Sequence, residues 1–264
     1  MKYLFAHWNS ITRRIAGRYA VLFLDYDGTL TPIVKTPDRA RIPEQIKQLL
    51  KALSANSGCT LTIISGRCLK DIKKKVGLKN IIYSGNHGLE IQGPNIRFEA
   101  PVAQGYKTIL RKIKNRLKDK LSTIEGILLE DKGLSLSLHY RLTSKKDVPF
   151  VKETFYQAAL SYLRLGKIKT ETGKKVFEIR PAAEWDKGKA VLWLLSKLKS
   201  RSCAKPILPI YVGDDATDEN AFRALKNKGL TIFVGNPKKS YAKYYLRNTP
   251  EVSKFLKWLN TLLS

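Results

Sequence analysis

The sequence predicts an α/β protein in which a parallel sheet is interrupted by an inserted α+β block. Three observations carry this. Short, continuous apolar runs recur near both ends of the chain, and each stops at a polar cluster. Helical patterns separate those runs, which is the signature of a parallel sheet with crossover helices. Between residues 104 and 181 the pattern changes to long helices alternating with half-polar strands.

Taken in order, Tyr19–Leu24 is a continuous apolar run that ends in Asp25-Tyr26-Asp27-Gly28-Thr29, as a strand buried on both faces would be. Pro43 to Leu53 has apolar residues at helical spacing, with proline at a first-turn position. Thr60–Ile64 is a second buried strand, ending in Ser65-Gly66-Arg67. A short basic helix then runs to about Val76, and Ile81–Tyr83 is a third strand. Val102, Tyr106, Ile109, Leu110, Ile113, Leu117 and Leu121 mark one face of a long helix. Leu134, Leu136, Leu138 and Tyr140 alternate with Ser135, Ser137 and His139, the period-two pattern of a strand with one wet face. Residues from about Asp147 to Arg164 form a second helix, and Lys175–Arg180 another alternating strand. The parallel theme then returns: helix Lys187–Leu198, strand Ile207–Val212 ending in Gly213-Asp214-Asp215-Ala216-Thr217-Asp218-Glu219, a helix from about Asn220, strand Leu230–Val234 and helix Val252–Leu263. Residues 1–103 and 182–264 therefore make one discontinuous core domain, and 104–181 an insertion within it.

Composition narrows the class. The 264 residues are 43% hydrophobic and 27% charged, which excludes disordered and fibrous chains. Cys59, Cys68 and Cys203 are odd in number and suit neither a zinc site nor a disulfide framework, so a reducing, cytoplasmic setting is expected. No apolar stretch approaches the length of a membrane span, and His7, Asn9, Arg13 and Arg14 interrupt any signal-peptide core. The net charge of +27 predicts attraction to anions. Residues 104–181 hold 18 Lys and Arg against 8 Asp and Glu, largely along helix faces, where a solvated basic face is the commonest explanation. Steering of a phosphorylated small molecule is a second explanation. Nucleic-acid binding ranks last, since no recognised module for it appears.

In an open parallel sheet, functional groups gather beyond the carboxyl ends of the strands. Here those ends carry Asp25 and Asp27, Ser65 with Arg67, and Asp214, Asp215 and Asp218. Carboxylates so gathered repel one another unless a cation compensates them, and Mg²⁺ is the natural partner for oxygen ligands beside phosphate. Asp25, first beyond its strand, suits a nucleophile that splits phosphoryl transfer into two steps. Asp27 suits a general acid and then base. Ser65 offers a hydroxyl and Lys187 a positive charge to phosphate oxygens, and Gly28 lets the backbone turn. Taken singly, each of these words also fits a turn, a capped helix start or a solvated lysine.

Together they are specific. Asp25-Tyr-Asp27-Gly28-Thr29-Leu30, Ser65-Gly66-Arg67, Lys187 within Trp185–Ala190, and Gly213–Glu219 resemble, in order, the four motifs of the haloacid-dehalogenase superfamily. Asn86-His87-Gly88-Leu89-Glu90 and the Gly-Asp-Asp-x-Thr-Asp-Glu form of the last motif resemble trehalose-6-phosphate phosphatases, from about Tyr19 onward. The resemblance implies a Rossmann-like core with an inserted α+β cap domain of the C2B-like type, and hydrolysis of trehalose 6-phosphate through an aspartyl-phosphate. It implies Asp25 as nucleophile, Asp27 as acid/base, and Ser65 and Lys187 on the phosphoryl group. Mg²⁺ would be held by Asp25, the backbone carbonyl of Asp27 and Asp214, with Asp215 and Asp218 nearby. Glu130, Lys132 and Glu178 occupy the places of residues that bind sugar hydroxyls, and Arg67, Asn86 and His87 those of further substrate contacts. The expected substrate is a phosphorylated disaccharide, with functional coupling to the synthase that makes it. Phosphatases of sucrose phosphate or mannosylphosphoglycerate, and a polyanion-binding non-enzyme, are the alternatives.

Overall fold

The computed structural model describes residues 1–199, 205–236 and 239–263, so Cys203 lies outside the described residues. The strands are β1 (Lys2–Tyr3), β2 (Tyr19–Asp25), β3 (Cys59–Ile64), β4 (Ile82–Gly85), β5 (Glu90–Gly93), β6 (Ile96–Glu99), β7 (Leu128–Asp131), β8 (Leu136–His139), β9 (Ile168–Gly173), β10 (Val176–Pro181), β11 (Ile207–Gly213), β12 (Leu230–Val234) and β13 (Tyr244–Leu246). The helices are α1 (Trp8–Ile15), α2 (Glu44–Ala55), α3 (Leu69–Val76), α4 (Tyr106–Lys120), α5 (Val148–Arg164), α6 (Lys187–Leu198), α7 (Asp218–Leu225) and α8 (Thr249–Leu263). None of them is long and apolar enough to cross a membrane.

The chain divides into two compact units, Met1–Glu99 with Trp185–Ser264, and Ala100–Glu184. In the first, one sheet runs in the order β1-β13-β12-β11-β2-β3-β4-β5-β6. It is parallel from β1 as far as β4 and antiparallel across β4-β5-β6. The continuous apolar character of β2 follows from its central place. Ala20, Leu22 and Leu24 join the core layer that includes residues of α1, α2, α3 and α8, while Tyr19, Val21 and Phe23 join the layer that includes residues of α6 and α7. Both faces are buried, so there is no polar alternation.

The register sets the chemistry. Val212 of β11 pairs with Leu24 of β2, and Asp25 pairs with Ile64 of β3. Asp214, Asp25 and Ser65, each at the carboxyl end of one of these strands, are thus brought to one edge of three adjacent strands.

The second unit is a four-stranded antiparallel sheet, β7-β8-β10-β9, with α4 and α5 on one face. Leu110, Ile113 and Leu117 of α4 and Val151, Phe155 and Ala159 of α5 pack with Leu136, Leu138, Phe177 and Ile179. The alternation across β8 is as its sequence suggests, but its polar face is not wet. Ser135 and Ser137 are buried, and both hydroxyls donate to Glu178. Burial of hydroxyls is tolerated where they find such partners, and period-two spacing alone does not reveal a partner on another strand.

Candidate active site

Asp25 is the last residue of β2 and 5% exposed. Lys187, at the start of α6, reaches it directly. Its Nζ donates to Asp25 Oδ1 at 2.8 Å and to Asp218 Oδ1 at 2.7 Å, and the lysine is 1% exposed. The preceding Asp186 caps α6 by accepting from the backbone N–H of Lys189, which fixes the helix start and with it the lysine. Asp218 is held as firmly: the Tyr211 hydroxyl donates to Oδ1 at 2.7 Å, and the backbone N–H groups of Asp214 and Asp215 donate to Oδ2 at 2.9 and 3.0 Å. Asp215 Oδ1 accepts from the Thr217 hydroxyl and from the backbone N–H groups of Thr217 and Asp218.

The electrostatics follow. Burial is the largest influence on Asp25 and drives its carboxyl well above the usual carboxylate range; Lys187 opposes this, and Asp218, Asp214 and Asp215 reinforce it. Burial works against the charge on Lys187, but Asp218 and Asp25 outweigh it and hold the ammonium well above its ordinary value. Asp215 is pushed up by burial yet settles lower, at about 2, because Lys187 and the Thr217 hydrogen bonds favour its charged form.

Carboxylate oxygens of Asp25, Asp214 and Asp218 lie within 4.8 Å of one another. Asp218 already accepts four hydrogen bonds on its two oxygens, so its work is to hold Lys187 and the turn after β11. The oxygen set that fits a hard cation is Asp25 with Asp214. Gly28 makes room for it: the residue has φ +88°, and a Cβ there would overlap the Asp214 carboxylate.

Asp27 faces elsewhere. Its two oxygens take the Nε and Nη2 of Arg67, each at 2.7 Å. Arg67 is fixed in turn by Asp71, by the carbonyl of Pro37 and over the ring of Tyr26. The structure thus brings together Asp25, Lys187, Asp214, Asp215 and Asp218, and sets the Asp27 carboxylate against Arg67. Ser65 is buried and its hydroxyl accepts from the N–H of Arg67. Asn86 and His87 are buried in a left-handed turn, φ 48° and 56°, with Asn86 Nδ2 donating to Glu90 at 2.5 Å.

In the second unit, Glu130, Ser137 and Glu178 occupy one rung of the sheet. Glu178 Oε1 accepts from Lys132 Nζ at 2.9 Å and from the hydroxyls of Ser135 and Ser137 at 3.1 Å, and Glu130 pairs with His139 at 2.9 Å. Sequence reasoning passed over Tyr211, Ser135 and Ser137. The two serines had a signal in the period-two spacing that puts them on the face of Glu178; Tyr211, inside an apolar strand, had none.

A mainly parallel sheet interrupted in sequence by a contiguous α+β unit, with a buried lysine joining the aspartate that ends β2 to the acidic turn after β11, defines a core of the haloacid-dehalogenase type. The sequence profile of the family described as trehalose-phosphatase matches residues 23–250, and the chain belongs to that family. Probable trehalose-phosphate phosphatase D of Arabidopsis thaliana is 37% identical over 266 residues, spanning 96% of this chain and 70% of that protein. Trehalose-phosphate phosphatase B of the same plant is 34% identical over 264 residues, spanning 96% and 69%. In fold, the chain is similar to the C-terminal domain of C. albicans trehalose-6-phosphate phosphatase, with a TM-score of 0.81, 24% identity, and coverage of 100% of this chain and 99% of that one.

Proposed function

We propose that this chain hydrolyses trehalose 6-phosphate to trehalose and inorganic phosphate. One observation carries the reading within the family: the buried Lys187 that joins Asp25 to Asp218 beside Asp214. In the first step an Asp25 carboxylate oxygen bonds to phosphorus while the bond from phosphorus to the sugar oxygen breaks, and Asp27 gives that oxygen its proton. In the second step water attacks phosphorus, Asp27 takes its proton, and the bond to Asp25 breaks, releasing phosphate. For either transfer the Asp27 carboxyl has to part from Arg67, which makes Arg67 the residue that stations it between steps. Lys187 and Ser65 hold phosphoryl oxygens, while Asp218 and Asp215 keep Lys187 and the turn in place.

Asp25, the backbone carbonyl of Asp27, and Asp214 would hold Mg²⁺, which when bound neutralises charge on the phosphoryl oxygens. Glu130, Lys132 and Glu178 bind sugar hydroxyls, and Asn86 and His87 are assigned by resemblance to substrate contact. We place the protein in the cytoplasm, where a synthase supplies the phosphorylated disaccharide.

The test is phosphate release from trehalose 6-phosphate, sucrose phosphate and mannosylphosphoglycerate, with and without Mg²⁺. Trehalose 6-phosphate is expected to be preferred and Mg²⁺ to be required. Asp25→Asn is expected to lower turnover on the order of 10⁴-fold or more while the fold persists. Activity surviving in that variant would remove the proposed nucleophile, and equal rates on all three sugars would remove the substrate.

A further inference from the structure

The face of the second sheet that carries Glu178 holds more than the three residues assigned to the sugar. Residues paired across antiparallel strands share a face. One rung therefore reads Glu130, Ser137, Glu178 and Glu171 across β7, β8, β10 and β9. On the next, Arg180 pairs with Lys169, and Lys132 donates its N–H to the carbonyl of Ser135. Three carboxylates thus stand beside three cations on a face with no net charge. Such a surface suits a neutral, hydroxyl-rich ligand, because any anion would meet the carboxylate rung as closely as the cationic one.

Arg180 stands out within this set. It is 2% exposed. Its Nη1 donates to both oxygens of Glu171, at 2.7 and 2.8 Å. Its Nε and Nη2 are buried and have no hydrogen-bond partner among the described residues. Leaving two charged donors unsatisfied is costly, and such groups call for an explanation. Nε and Nη2 form one edge of the guanidinium, with parallel N–H bonds that match a pair of acceptors. The same edge of Arg67 is the one that grips both oxygens of Asp27. In Arg180 this edge is intact, and Glu171 fixes the far side of the group.

We propose that the Nε–Nη2 edge of Arg180 donates to two adjacent hydroxyl oxygens of the substrate's sugar, making Arg180 a specificity-determining residue beside Glu178. The proposal rests on the substrate reading above. It predicts that Arg180 contributes to sugar recognition and leaves phosphoryl transfer alone.

The experiment compares Arg180→Lys and Arg180→Met with the wild type on trehalose 6-phosphate and on p-nitrophenyl phosphate, an aryl phosphate without adjacent hydroxyls, in parallel with thermal melting. Arg180→Lys keeps a charge for Glu171 but lacks the paired N–H edge, so it tests the idea even if Arg180→Met fails to fold. The expected result for Arg180→Lys is a KM for trehalose 6-phosphate raised roughly ten- to hundredfold. Its kcat on that substrate and its kinetics on the aryl phosphate should change little. An unchanged KM in Arg180→Lys overturns the proposal, as does a parallel fall on both substrates, which would make Arg180 structural. If the wild type cleaves the aryl phosphate but not trehalose 6-phosphate, the substrate reading falls and this proposal with it. If it cleaves both and Arg180→Lys behaves as wild type, only the proposal falls.

Discussion

Replacing Lys187 with methionine keeps most of the side chain's volume and removes its charge. In the native protein that charge sits 2.8 Å from Asp25 and 2.7 Å from Asp218, with side-chain exposures of 1%, 7% and 0% respectively. Without it, two buried carboxylates lose their shared counter-ion, and breaking a buried pair in this way costs about 3–5 kcal/mol. For a domain of this size that corresponds to a fall in Tm of roughly 6–20 °C. A half-exposed pair behaves differently. Lys114 and Asp131, 3.0 Å apart with side chains 38% and 37% exposed, are worth about 0–1 kcal/mol, so Lys114→Met should barely move the melt. The assay is thermal unfolding at pH 7 in the presence of a chelator, run as a cycle with Asp218→Asn. The two core substitutions share one interaction, so the double variant should be more stable than the summed effects imply, by about 0.5–3 kcal/mol. A Lys187→Met protein that melts within about 2 °C of wild type would refute the reasoning. Strict additivity with Asp218→Asn would do the same.

Two further outcomes are expected. Gly28→Ala forces a side chain into a left-handed conformation and into the Asp214 carboxylate; it should lose about 1–3 kcal/mol in a chemical denaturation curve and most of its turnover, and normal values for both would dissociate Gly28 from the site. Cys59 is buried, and burial pushes its thiol up from 9.0 to about 12. The folded state keeps a proton that the unfolded state gives up, so stability is unaffected below about pH 9 and falls as pH rises from about 9 to about 12. The fall approaches about 4 kcal/mol and is absent from Cys59→Val. Equal pH profiles for the two proteins would show that the thiol is not shielded.

Much of the core was legible because burial on both faces leaves an unmistakable run. β2, β3, β11 and β12 are such strands, and the polar words after β2, β3 and β11 mark the site edge that their register then brings together. The hairpin β5–β6 was not legible. Its strands have four residues each, include Gln92, Arg97 and Glu99, and turn at Gly93-Pro94-Asn95, too short a pattern to separate from loop. β7 and β13 escaped for the same reason. The partner of Asp27 is a tertiary matter: Arg67 meets it only because β2 and β3 are neighbours and Asp71, in the first turn of α3, steadies the guanidinium. Burial of Ser135 and Ser137 likewise depends on a glutamate some forty residues away.

The division of the chain has a consequence for the order in which it becomes competent. Residues 100–184 form one uninterrupted stretch with a sheet, two helices and an apolar interior of their own, and domains generally fold as units during synthesis. The unit that holds Asp25 has no such option. β2 waits for β11, made almost two hundred residues later, before its second edge is covered, and Asp25 waits for Lys187. A nascent chain therefore carries Asp25 without the Lys187 counter-ion until translation is well past the insertion. The sheet that carries Glu178 can be finished before Lys187 meets Asp25.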